Sequence, residues 1–141
     1  MALKSLLIVL TSFLPLITAQ SAPCALPSWT ISSVDLSFRN PAQANFTITN
    51  SITKTTEDIS CRLEFSTLCE IRGTPGDKDL YIHLQERNGD HVWFNVTVPF
   101  TCEGKAGQVT GIGEQLIECP DDYYKCATTE PLDVVGSFLG W

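Results

Sequence analysis

Two histidines, His83 and His91, are the side chains of this 141-residue sequence best suited to proton transfer near neutral pH. Nucleophilic catalysis would need a partner for them, but no G-x-S-x-G occurs and the six cysteines are an even set that can pair completely. Zinc would need close cysteine pairs, yet no C-x-x-C is present and neither histidine lies near the closely spaced cysteines. Asp77, Asp79 and Asp90 offer oxygen ligands for calcium, but without the spacing of an EF-hand they read as turn residues bonding their own backbone. Glu103, Glu114 and Glu118 could serve a glycosidase, although nothing in the sequence sets the separation such a pair requires. Gly111-Ile112-Gly113 lacks the Lys-Ser/Thr of a phosphate loop and reads as a turn. The sequence therefore predicts no catalytic residue, no metal and no cofactor. What it offers instead is a binding face, because Tyr81 and Trp93 share the strand parity of His83 and His91, and exposed aromatic groups serve protein and sugar contacts.

Those residues must be held by strands. Phe46 and Ile48 alternate with polar neighbours; so do Ile59, Cys61, Leu63 and Phe65, then Leu80, Ile82 and Leu84, then Val92, Phe94, Val96 and Val98. Each run predicts a strand with one buried face. Trp29 and Ile31 have one parity while Val34, Leu36 and Phe38 have the other, so an extra residue near Ser32-Ser33 is expected as a β-bulge or a crossing between sheets. Turn signals separate the runs, at Asn40-Pro41, Thr74-Pro75-Gly76-Asp77, Asn88-Gly89-Asp90, Gly104-Lys105-Ala106-Gly107 and Pro120-Asp121-Asp122. Asn88-Gly89 predicts a two-residue hairpin loop joining the Leu80 and Val92 strands. No sustained helical period is present. The fold class expected is all-β, a compact antiparallel β-sandwich or β-barrel stapled by disulfides.

The compartment follows from the first residues and the cysteines. Residues 1–19 carry Lys4, an apolar run from Leu6 to Leu10, and a small residue, Ala19, at the cut, which is the pattern of a secretory signal peptide. Residues 20–126 are then expected as the disulfide-linked domain and 127–141 as a C-terminal extension. Cys24, Cys61, Cys69, Cys102, Cys119 and Cys126 all follow the cleavage point, as a disulfide framework in a secreted protein would. Spacing suggests Cys61 with Cys69 and Cys102 with Cys119, leaving Cys24 with Cys126, among about 15 connectivities that spacing does not choose between. Sequons at Asn45-Phe46-Thr47 and Asn95-Val96-Thr97 put both acceptor asparagines on the polar side of their strands as glycosylation sites. Asp plus Glu (16) exceed Lys plus Arg (9), for a net charge of −7, which argues against nucleic acid as a partner. Past residue 19 no stretch has the length of a membrane-spanning helix.

The order Trp29-x-Ile31, Phe46-x-Ile48-Thr49-Asn50, Cys61 and Cys69 on adjacent strands, then Cys102 and Cys119 around a Gly-rich segment resembles the fungal small secreted proteins related to the Alternaria major allergen. The resemblance spans about Trp29 to Cys119. It implies a compact β-barrel or sandwich with those two cysteine pairs bridged, and no enzyme activity; members are secreted, some are allergens, and several act on plants as effectors or elicitors. Cys126, and Ser66-Thr67-Leu68 where that group tends to have aromatic residues, depart from its pattern. The reading is a secreted interaction protein that binds an extracellular protein or glycan through Tyr81, Trp93, His83 and His91. A carbohydrate- or small-ligand-binding module is the alternative, and a small hydrolase is disfavoured by the absent nucleophile.

Overall fold

The structure, a computed structural model, describes residues 24–65, 68–87, 89–120 and 124–140. Residues 1–19, expected as a signal peptide, with Gln20, Asn88, Asp121-Asp122 and Tyr123, lie outside the described residues. Among the described residues nine antiparallel strands form one sheet: β1 (Ser28–Ser37), β2 (Gln43–Asn50), β3 (Thr56–Arg62), β4 (Leu68–Arg72), β5 (Tyr81–Arg87), β6 (His91–Cys102), β7 (Lys105–Leu116), β8 (Lys125–Ala127) and β9 (Leu132–Gly140). Their order is β3-β2-β1-β9-β7-β6-β5-β4, with β8 on β1. The ends of this order meet where the isolated bridge Glu64↔Leu68 and the Cys61–Cys69 disulfide, with Cα atoms 6.2 Å apart, join β3 to β4. The result is an antiparallel sheet nearly closed into a barrel, which leaves few free edges. No helix forms among the described residues.

Alternation builds the interior. Ile82, Leu84, Val92, Phe94 and Val96 are fully buried, and Phe46 meets Phe94 edge to face, ring centroids 5.3 Å apart, joining β2 to β6 across the core. The parity break in β1 is a bulge: Ser32 pairs with Thr47 and Asp35 with Asn45, so Ser33 and Val34 stand against the single residue Phe46. Ser33 takes φ +55°, and the extra residue returns Val34 and Leu36 to the face of Trp29 and Ile31. The bulge also divides the other edge of β1, where β9 pairs up to Ile31 and β8 pairs from Asp35.

Several expectations are corrected. Gly104, at φ +76°, does turn the chain from β6 into β7, but Gly111-Ile112-Gly113 lies within strand β7 and is not a turn. Its inward glycines accommodate close neighbours: a Cβ on Gly111 would lie 2.6 Å from Val134 Cγ1 and 3.2 Å from Trp29. Within the stretch 127–141 expected as a C-terminal extension, Leu132–Gly140 form β9, which fills the place between β1 and β7. Phe65, expected inward, lies beyond the end of β3 in a turn at φ +51° and is 91% exposed. The β5–β6 register ends at Arg87↔His91, which leaves three residues and not two in the loop, with Gly89 at φ +77° as the left-handed residue.

Cys61 pairs with Cys69, but the other two pairs are Cys24–Cys102 and Cys119–Cys126. A Cys102–Cys119 bridge is precluded by β7, whose twelve extended residues separate them by on the order of 40 Å. Cys102 ends β6 beside the chain entering β1, whereas Cys119 and Cys126 flank the reversal that lays β8 on β1. Three such disulfides are typical of extracellular proteins.

Candidate functional site

The β5–β6 pair runs from Tyr81↔Thr97 to Arg87↔His91, and odd-numbered residues of both strands point outward. Tyr81, His83, His91 and Trp93 thus share one half-buried face, but they do not form one cluster. Trp93 stands opposite Gln85 and Tyr81 opposite Thr97, so four residues, roughly 13 Å of strand, separate the two rings. Cross-strand packing of Tyr81 on Trp93 is therefore not formed. Trp93 instead meets His83 edge to face at 5.5 Å, with the Arg87 guanidinium 4.8 Å from its ring centroid and Glu114 of β7 directly opposite. That cation–π contact fixes the indole on the sheet.

Tyr81 has its own surroundings. Arg72 lies over its ring at 5.5 Å and also reaches Glu70 at 3.9 Å. Burial, with the charge and hydrogen bond of Glu70, raises the phenol pKa against the opposing pull of Arg72. His91 sits at the far end of the hairpin, where Asp90 Oδ1 is 2.7 Å from its Nδ1; this hydrogen bond raises the imidazole pKa above 6.5, with the charges of Asp90 and Glu114 adding to it and desolvation opposing. His83 lies opposite Asn95, roughly 13 Å along the sheet from His91, so the two histidines do not act as a pair. His83 Nε2 is buried without a hydrogen-bond partner among the described residues.

The carboxylates considered for chemistry are dispersed. Asp77 and Asp79 precede β5 and Asp90 precedes β6, at opposite ends of that hairpin, so they do not converge on a cation. Glu103 lies in the β6–β7 turn and Glu118 beyond the other end of β7, while Glu114 faces outward between them. Asn45 is exposed on β2; Asn95, flanked by His83 and Ile112, accepts a hydrogen bond from Thr97 Oγ1 at 3.3 Å and shares the face of Trp93.

The barrel also carries a hollow. It lies at the barrel end where β1 begins, β2 turns into β3 and β4 connects to β5, and it is lined by Trp29, Ile48, Asn50, Glu57, Asp77 and Leu80 among others. Neither Trp29, which has core parity, nor Glu57 stands out by motif, yet the strand pattern carries a signal. Glu57 has the inward parity of Ile59 and Cys61, an unusual place for a carboxylate.

Comparison of the chain with protein-family models, curated proteins and solved structures finds no match.

Proposed function

We propose that this chain is a secreted, non-enzymatic interaction protein, effector-like or allergen-like as its motifs suggest, that binds an extracellular partner through the outer face of β5 and β6. One observation carries the reading: Trp93 is presented on a rigid sheet, braced by His83 at 5.5 Å and Arg87 at 4.8 Å, instead of lying in the core. A braced aromatic beside an arginine is the composition of an interface hot spot, since little side-chain entropy remains to be lost on binding. Catalysis has less support, because His83 and His91 are apart on the sheet and stand opposite Asn95 and Arg87. The signal segment and the three disulfides support secretion, with Asn45 and Asn95 as proposed glycan sites. The test uses Trp93→Ala and partner capture from extracellular fluid of the tissue the protein meets. The variant is expected to fold, because Trp93 is outside the core, and to bind about 30-fold or more weakly, corresponding to about 2 kcal/mol. Unchanged binding, or steady turnover of polysaccharide, ester or peptide substrates by the pure protein, would overturn the proposal.

A further inference from the structure

The outer sheet carries an exposed apolar pair beside one of the two sequons. Ile112 on β7 points outward and is 59% exposed; Val135 on β9 does the same at 73%. The β7–β9 register reaches Gly111↔Gly136, which makes Ile112 and Val135 the next residues along the two strands and neighbours on the outer surface. Single exposed apolar residues are ordinary, and β-branched ones favour strands, but two side by side leave a contiguous hydrophobic surface in water.

Directly across from Ile112 stands Asn95 of β6, the acceptor of Asn95-Val96-Thr97. Asn95 and Val135 thus lie on either side of Ile112, two strand spacings or about 10 Å apart. The Asn95 side chain is open to attachment. Its Oδ1 accepts from Thr97 Oγ1 at 3.3 Å, while Nδ2, the atom that would carry a sugar, makes no hydrogen bond and is not buried among the described residues. On the other side of Asn95 the surface is occupied, since His83 stands opposite it and packs edge to face on Trp93, itself covered by Arg87. A sugar chain growing from Nδ2 therefore has its open apolar surface toward β7 and β9.

Asn45 provides a contrast within the same molecule. Its cross-strand neighbours are Asp35 on β1 and Ser60 on β3, and Gln43 and Thr47 hold the outward positions before and after it. A glycan there would lie on polar surface that needs no cover.

We infer that Asn95 carries an N-linked glycan whose first sugars lie across Ile112 and Val135, so that the modification completes the outer surface of β6, β7 and β9. The C–H faces of the linking N-acetylglucosamine and its acetyl methyl cover the two side chains, and its hydroxyls stay in water. The inference rests on the secretory reading of the chain and not on Trp93 as a binding residue.

The test secretes the full chain from a cultured eukaryotic cell, maps its peptides before and after enzymatic release of N-glycans, and records methyl NMR spectra of the folded glycoprotein. Asn95 is expected to be occupied, with nuclear Overhauser contacts from sugar protons to the Ile112 and Val135 methyls that are lost on release. Release, or Asn95→Gln, is expected to raise binding of a hydrophobic dye about twofold or more, whereas Asn45→Gln leaves it at the parent level. Adding Ile112→Thr and Val135→Thr to Asn95→Gln should return it to that level. Enzymatic release acts on protein already folded, so the answer does not depend on whether Asn95→Gln folds. A bare Asn95 on the secreted protein, whatever the state of Asn45, overturns the inference and leaves the secretory reading standing. An occupied Asn95 without those contacts, or dye binding unchanged on release, also overturns it; retention of the chain inside the cell overturns the secretory reading and the inference together.

Discussion

Asp90 and His91 form a pair in which protonation and folding are linked through one hydrogen bond, 2.7 Å from Oδ1 to Nδ1. Because the folded pKa is raised above the ordinary 6.5, the pair contributes stability fully below the unfolded pKa and loses it as pH rises through the raised folded value. Asp90→Asn should move the His91 titration, followed by its ring-proton NMR signals, down toward the ordinary value. The stability gap between parent and variant should be widest on the acidic side of pH 6.5 and close at higher pH; an unmoved midpoint would show that Glu114 alone holds the shift. Of the residues in the candidate face, orientation was readable from parity, which places Tyr81, His83, His91 and Trp93 outward. Their separation was not, since it depends on a register that pairs Trp93 with Gln85 and Tyr81 with Thr97, and register comes from the loop and the neighbouring strand.

β9 is the element least visible in the sequence and most consequential for the sheet. It pairs with β1 from Leu132 to Val135 and with β7 from Gly136 to Gly140, so the barrel wall is continuous only through it. Its glycines, like those of β7, hide a strand by looking like turn residues; they are used because backbones and side chains approach closely there. Gly136 is the clearest case, because a Cβ would strike the Pro27 carbonyl oxygen and lie within 2.5 Å of Val109 Cγ1. Gly136→Ala is therefore expected to destabilise by about 1–3 kcal/mol, read as a lower denaturation midpoint at unchanged m-value. A neutral substitution would mean that the chain before β1 yields easily. The strands that were legible, β1, β2, β3, β5 and β6, have apolar residues alternating on one face; β4 and β8 are too short to show a period, at five and three residues.

For the whole molecule the disulfides divide into one long-range tie and two local ones, with sequence separations of 78 for Cys24–Cys102, 8 for Cys61–Cys69 and 7 for Cys119–Cys126. If constraint of the unfolded chain dominates, the long loop contributes about 4.5 kcal/mol and each short loop about 2.5. The Cys61–Cys69 bridge has a second task, because it crosses the seam where, among the described residues, β3 and β4 are joined by backbone only at Glu64↔Leu68. The two effects separate in an experiment with three paired Cys→Ala variants. Loop entropy alone makes Cys24/Cys102→Ala the least stable and the other two nearly equal. A contribution from seam closure lowers Cys61/Cys69→Ala below Cys119/Cys126→Ala and speeds amide exchange in β3 and β4 ahead of global unfolding. We expect both: the long tie first in cost, and the seam bridge costlier than the other short loop. Equal stability and equal exchange in the two short-loop variants would mean that core packing, with Phe46 against Phe94, closes the barrel without help from the seam bridge.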